Sequence, residues 1–261
     1  MDSVNKTLYI PLYGKAYVSS KGILLQDKKA EEIWGAEGFA LKGKSKSKWL
    51  AYYMGMRSAV FDRWLLQQMK AREDAVVIHI GCGMDSRVLR VGTQSHIWYD
   101  VDFQDVIAER KKYYAETSEY KMLCDDIRDP GWLAEIPKAK SVIAVMEGVS
   151  MYVTHEDLQK LFKDLCGHFE NVSLLMDCYS GLAAKMSKYK NPINDVGVTQ
   201  VYGLDDPTVL NHPGFSFIDE HSMTPDDLIR ELAPAEQRIF RKLYAGGFSK
   251  KLYRLYEYKS S

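Results

Sequence analysis

The sequence predicts a doubly wound α/β domain, with a mostly parallel sheet and helices on both faces. Three observations carry that prediction. The apolar run Val76-Val77-Ile78-His79-Ile80 breaks into Gly81-Cys82-Gly83. Four further apolar runs follow at roughly regular spacing, at residues 96–102, 120–126, 141–147 and 172–178. Helix-like segments separate them at 106–115, around Trp132-Leu133, and at 155–169. Strands alternating with helices need crossover connections, and crossovers cover both faces of a parallel sheet.

Taken in order, the first strong element is a helix over residues 48–70. Trp49, Tyr53, Met56, Val60, Phe61, Trp64, Leu65 and Met69 recur there at three- and four-residue spacing. Arg57 falls inside that apolar stripe, and a guanidinium on a buried face needs an anion. Asp62 points elsewhere around the helix, so a cofactor carboxylate or a structural ion pair with another segment both stand as partners. The glycine pair after the first strand permits a tight turn and close backbone approach to a ligand. An acidic cluster, Trp98-Tyr99-Asp100-Val101-Asp102, follows about twenty residues on, where a carboxylate can accept ribose hydroxyls. Later strands also end in acids, Asp126 and Glu147, and ligands of open α/β sheets bind beyond the carboxyl ends of the strands. Thr154 is placed to cap the helix at 155–169, with Glu156 and Asp157 in its first turn. Residues 191–224 are rich in Gly, Pro, Asn and Asp, as expected of a lid or substrate wall. A helix is expected after them, with Thr224 as cap and Pro225 at its first position. The tail at 251–258 alternates as a strand does.

The 261 residues are expected to form a single domain. It divides into an N-terminal helical extension (1–72), a cofactor-binding core (73–180), and a lid insertion with C-terminal strands (181–261). Lys plus Arg and Asp plus Glu balance at 35 each, which argues against nucleic acid or an anionic membrane as partner. The basic tract at 42–48 reads as a solvated loop. Cys82, Cys124, Cys166 and Cys178 form no C-x-x-C pair, so free thiols are expected and neither a metal nor a disulfide framework is. With no apolar leader at the N-terminus and no long apolar run, a cytoplasmic location is expected.

Gly-x-Gly alone leaves the nucleotide open. Ser86 stands at the third position of G-x-G-x-x-G, and Asp85 makes the turn a poor place for a pyrophosphate. Strand-tip acids suit an adenine amino group and a methionine ammonium, and S-adenosylmethionine carries no phosphate. An NAD(P)-dependent oxidoreductase and a non-catalytic S-adenosylmethionine-binding protein remain as alternative readings of the same turn.

Several motifs together resemble the leucine carboxyl methyltransferase superfamily. They are Gly81-Cys82-Gly83-Met84-Asp85-Ser86-Arg87, Trp98-Tyr99-Asp100-Val101-Asp102-Phe103 with Val106-Ile107-Ala108-Glu109-Arg110, Asp126-Ile127-Arg128-Asp129-Pro130-Gly131-Trp132, and Glu147-Gly148-Val149-Ser150-Met151-Tyr152. The opening Thr7-Leu8-Tyr9-Ile10-Pro11-Leu12-Tyr13-Gly14-Lys15-Ala16 and Asp205-Asp206-Pro207 are similar to its bacterial branch, the tetracenomycin-type O-methyltransferases. The resemblance implies a class I methyltransferase (Rossmann-like) fold and S-adenosyl-L-methionine as donor, leaving S-adenosyl-L-homocysteine. It implies O-methylation of a carboxyl or hydroxyl group on a small molecule. It puts Lys15 and Arg57 near the methionine carboxylate, and Gly81, Cys82 and Gly83 in the cofactor loop. Asp102, with Asp100 as neighbour, falls at the ribose, Asp126 and Ile127 at adenine, and Glu147 at the methionine amino end.

Other readings stay beside these. Asp85 can cap the following helix, His79 reads as a core residue rather than a base, and Asp125 is expected to face solvent. A carboxylate acceptor needs no base at neutral pH, whereas a hydroxyl usually does. His212 and His221 are the candidates for that role, and no catalytic residue is assigned. Tyr152, Tyr179 and Tyr202 are candidate pocket residues.

Overall fold

β1 (Val76–Ile80) is buried at every position, as a strand covered on both sides must be. In the computed structural model, which describes residues 8–37, 46–187 and 201–260, β1 lies inside a seven-stranded sheet. Its other strands are β2 (Trp98–Asp102), β3 (Tyr120–Cys124), β4 (Ser141–Met146), β5 (Asn171–Tyr179), β6 (Phe215–Glu220) and β7 (Tyr253–Ser260). The order is β3-β2-β1-β4-β5-β7-β6. β1 pairs in parallel with β2 and β4, β2 with β3, and β4 with β5. β7 runs antiparallel between β5 and β6. The chain reverses its direction of winding at β1 and β4, which opens a crevice at their carboxyl ends.

Alternation along β1 sorts its side chains into two cores. Val76, Ile78 and Ile80 pack with Val142, Ala144 and Phe162 on one face. Val77 packs with Phe61, Leu65, Ile143 and Val145 on the other. Burial of each such side chain contributes about 1.5–3 kcal/mol. The second face is covered by α3 (Lys48–Ala71), whose N-cap Ser47 accepts from Trp49 N. α1 (Tyr9–Ser20) and α2 (Lys28–Glu37) stack beside it. α6 (His155–His168) covers the first face through Leu158, Leu161, Phe162 and Leu165. Thr154 Oγ1 caps it by accepting from Asp157 N at 3.1 Å, which stabilises the helix by about 1 kcal/mol.

The structure departs from the sequence expectations in three places. The stretch expected to be irregular contains a short 3₁₀ turn (Pro207–Leu210) and edge strand β6, while residues 191–200 lie outside the described residues. Thr224 is not a cap. Pro225 holds extended backbone (ψ 148°) outside the one-turn helix α8 (Asp226–Ile229), whose start has no side-chain cap. The helix at 106–115 is also shorter than its pattern: α5 spans Gln104–Arg110 and ends where Arg110 turns inward. Of the basic tract, residues 42–45 lie outside the described residues, and Lys48 pairs with Glu236 at 2.8 Å. Among the described residues, no helix is long and apolar enough to cross a membrane.

Candidate active site

At the carboxyl end of β1 the backbone turns through Gly81 (φ +66°) and Gly83 (φ +52°), a left-handed conformation that favours glycine. A Cβ on Gly81 would sit 3.1 Å from Val149 Cγ1 and closer still to Cγ2, so a side chain is excluded by contact as well as by backbone angle. Asp102, at the tip of β2, holds this turn. Its carboxylate accepts from Gly83 N at 2.7 Å and from Phe103 N at 2.8 Å. Burial nevertheless pushes its pKa up to about 6.

The turn opens on a cavity of about 370 Å³. Lys15, Arg57, Gly81, Cys82, Gly83 and Asp102 line it. So do Asp126, Ile127, Glu147, Tyr152 and Tyr179. The sequence reading thus converges on one place for all but two residues. Asp100 is the first exception: it lies fully buried below the cavity. Its carboxylate takes Trp98 Nε1 at 2.8 Å, Tyr120 Oη at 2.6 Å and Arg110 Nη2 at 2.5 Å. It is the counter-ion of Arg110 and does not line the cavity, so the expectation that it neighbours a ribose is not supported by its position. Tyr202 is the other, absent from the lining, with its backbone N–H given to Met151 O at 2.8 Å.

Lys15, Arg57 and Glu147 form a buried ion cluster. Glu147, just beyond β4, accepts from Arg57 Nε at 3.0 Å, Ser58 Oγ at 2.8 Å and Arg87 Nη2, with Lys15 Nζ at 3.8 Å. Burial would raise its pKa, but Lys15, Arg87 and Arg57 outweigh burial and hold it well below the usual carboxylate range. Arg57 also donates to Asp177 Oδ2 at 2.9 Å and to Tyr253 Oη. Arg57 is thus structurally ion-paired, as one of its two readings has it, and it also lines the cavity. Asp62 serves Arg87 and Arg90 instead, each at 2.7 Å.

Asp85 does not cap α4 (Arg87–Val91), whose N-terminus lacks a side-chain cap. It is the counter-ion of Lys15 (2.8 Å), Arg90 (2.7 Å) and Arg87 (3.3 Å). With its charge matched this way, Asp85 no longer argues by itself against a phosphate at the turn. Asp125 also lines the cavity, contrary to the solvent-facing expectation. Asp126 is held by an ion pair to Arg128 Nε at 2.9 Å.

His79 is buried, and burial together with Arg87 lowers its pKa to about 4, so it is neutral at pH 7. Neither His212 nor His221 lines the cavity. His221 has an orienting carboxylate that sequence proximity did not reveal, Glu257 at 2.6 Å, where Asp219 and Glu220 were the nearer acids. Sequence reasoning also missed Asp177, although an acid inside the apolar run Leu174-Leu175-Met176-Asp177 is itself a signal of a buried partner.

The donor set fits a phosphate-free nucleoside with an amino-acid tail: a glycine cradle, an acid at the β2 tip, apolar Ile127, and a mixed-charge cluster at one end. Comparison with known proteins points the same way. The family model for leucine carboxyl methyltransferase matches residues 11–166. The tetracenomycin polyketide synthesis O-methyltransferase TcmP of Streptomyces glaucescens is 27% identical, across 70% of this chain and 69% of that one. The S-adenosyl-L-methionine-dependent methyltransferase dpfgK of Gibberella zeae is 26% identical, across 83% and 81%. Among solved structures, magnesium protoporphyrin IX methyltransferase (ChlM) from Synechocystis with bound SAH superposes with TM-score 0.54 at 14% identity. That match covers 95% of this chain and 97% of that chain, and it bears on the fold.

Proposed function

The chain belongs to the leucine carboxyl methyltransferase family, and from that premise we propose that it methylates an oxygen of a small-molecule acceptor, at a carboxyl or hydroxyl group. It is an S-adenosyl-L-methionine-dependent methyltransferase, and family membership sets aside the nicotinamide oxidoreductase reading. The observation that carries the proposal is the glycine cradle of Gly81 and Gly83, opening on a cavity flanked by Asp102 and by the Lys15–Arg57–Glu147 cluster.

In this reading Asp102 accepts the ribose hydroxyls, and Ile127 and Asp126 flank the adenine. Lys15 and Arg57 face the methionine carboxylate, and Glu147 faces its ammonium. Bound S-adenosylmethionine, held by these residues, would supply an electrophilic methyl to the acceptor oxygen. The chain's own contribution is positioning and exclusion of water, which supply much of the rate of such displacements. Lys15 and Arg57 are already matched by Asp85, Glu147 and Asp177, so cofactor binding exchanges partners within the cluster. A carboxylate acceptor is ionised at neutral pH and leaves no proton to remove. Free thiols at Cys82, Cys124, Cys166 and Cys178 support a cytoplasmic, reducing setting.

Incubation with methyl-labelled donor and host metabolite extract, followed by alkali, tests the reading. Transfer of label to a small molecule is expected, with release as methanol marking a carboxyl ester and alkali-stable label an ether. Donor binding without any label transfer would favour a non-catalytic binding protein.

A further inference from the structure

Tyr253 opens β7 directly opposite Tyr179 of β5, and Asp177 lies two residues before Tyr179 on the same face of that strand. The Tyr253 ring is fixed in place. It packs edge-on to Tyr179 with centroids 5.0 Å apart and stacks on Tyr53 at 6.0 Å. Its hydroxyl donates to Asp177 Oδ2 and accepts from Arg57 Nη1. Among the described residues these are its hydrogen-bond partners, so one lone pair is left on the oxygen. The same residue lines the cofactor cavity beside Arg57, Glu147 and Gly148.

Asp177 is fully buried and does not itself line the cavity, so Tyr253 stands between it and any ligand there. Its carboxylate also accepts from Gly148 N at 2.7 Å and Arg57 Nη1 at 2.9 Å. Burial raises its pKa against the pull of Arg57, Tyr253 and the Gly148 N–H, which makes it a better proton acceptor than an exposed aspartate. The other ionisable groups facing the pair are Arg57 and Tyr53 from α3, Glu147, Tyr152 and Tyr179. Burial keeps Tyr53, Tyr152 and Tyr253 protonated at neutral pH. On its far side Tyr253 borders a hollow of about 580 Å³, walled by α7 (Gly181–Ser187), α9 (Pro234–Leu243) and α10 (Gly247–Lys250). Among the described residues no acid or histidine lines that hollow, so the proton route from Tyr253 leads to Asp177. His79 lines the cavity from β1, three strands away from β7 in the sheet.

We propose that Tyr253 is a catalytic residue that passes the proton of a hydroxyl acceptor to Asp177, and that the acceptor oxygen therefore belongs to an alcohol or phenol. The proposal rests on the methyltransferase reading above. Tyr253 Oη takes the acceptor proton on its remaining lone pair and gives its own to Asp177 Oδ2. The acceptor oxygen's electron pair forms the bond to the methyl carbon, and the pair of the broken carbon–sulfur bond stays on sulfur. Asp177 ends neutral, and Arg57 keeps Glu147 as counter-ion. Acidity of the acceptor hydroxyl rises as carbon attaches to oxygen, so a carboxylate is base enough. A carboxylate acceptor has no proton for this path to carry.

The full chain and Tyr253→Phe, each given methyl-labelled donor and host metabolite extract between pH 7 and pH 9, test the relay. Alkali-stable label is expected, formed about a hundredfold more slowly or worse by Tyr253→Phe at about pH 7. The wild-type rate should stay flat with pH, while the variant recovers about tenfold per pH unit as the acceptor ionises unaided. Affinity for S-adenosylhomocysteine should stay within about threefold, which also certifies folding. In the ligand-free chain, carbon-13 NMR titration of the Asp177 carboxyl should show its midpoint moved upward in Tyr253→Phe, because a donor to the ionised form is gone. Label released as methanol, an undiminished rate in the variant, a loss without recovery at high pH, or an unmoved Asp177 midpoint each overturns this proposal alone. Failure of the wild type to transfer any label overturns the methyltransferase reading and this proposal with it.

Discussion

On one side of Tyr253, Lys15, Arg57, Arg87 and Glu147 are nearly sealed from solvent and bonded to one another. On the other side, Phe248, Leu243 and Met186 stand largely in water, and no described residue that lines the same hollow is charged. The ionic side is over-determined: every charge has two or more partners, so its geometry is set before a ligand arrives. The apolar side imposes shape without a polar code. One end of the site is thus set by charge pairing, and the other by shape alone.

The most severe way to break that contrast is Glu147→Ala. It leaves Arg57, Arg87 and Lys15 short of a shared buried anion, and removing one partner of a buried ion pair costs about 3–5 kcal/mol. Urea unfolding should show the midpoint shift. A loss below about 1 kcal/mol would mean that Asp85, Asp177 and Asp62 satisfy the three cations without Glu147.

Asp102 provides a sharper and smaller test, through pH. Its pKa is raised from the usual 3.8 to about 6. Between those values the folded protein holds a proton that the unfolded chain has lost. This group's contribution to stability is therefore fully present below about pH 4 and is lost as pH rises through about 6. Binding runs the other way, because the ionised carboxylate is the better acceptor for ribose hydroxyls. Affinity for S-adenosylhomocysteine should weaken as pH falls below about 6. Asp102→Asn should abolish both slopes and cost about 1.5–3 kcal/mol of binding, readable by calorimetric titration at about pH 5 and about pH 8.

The smallest expected effect is on the apolar side. Met186→Ala, at a side chain 47% exposed, should change unfolding free energy by no more than about 0.5 kcal/mol. A loss approaching that of Glu147→Ala would erase the distinction between the two walls.

β1, β2, β4 and β5 were legible because they are parallel and buried, hence largely apolar runs bounded by glycines and acids, whereas edge strand β3 is buried only at Tyr120 and Met122 and was placed by its spacing. β6 was not. It is an edge strand with Ile218 52% exposed and a register irregularity between Phe217 and Asp219, so its alternation is broken. α8 was expected from its Thr224-Pro225 start, though with the wrong cap, whereas α10 is a single turn too short for a helical period to register. Arg57 and Glu147 stood out because charge inside an apolar pattern is costly unless matched. The second acid on Arg57 did not, since Arg57 and Asp177 are 120 residues apart and only the fold joins them. Asp100 and Asp102 lie on the same face of β2, and what separates a buried counter-ion from a cavity residue is depth along the strand.

Titration of S-adenosylhomocysteine into the wild type and Gly81→Ala asks whether the glycine turn cradles the cofactor. The added methyl runs into the Val149 side chain on a left-handed backbone, so the turn must shift. One-to-one binding by the wild type, weakened about tenfold or more in Gly81→Ala, is the predicted result. Equal affinity in the two proteins, or no binding to either, would contradict it.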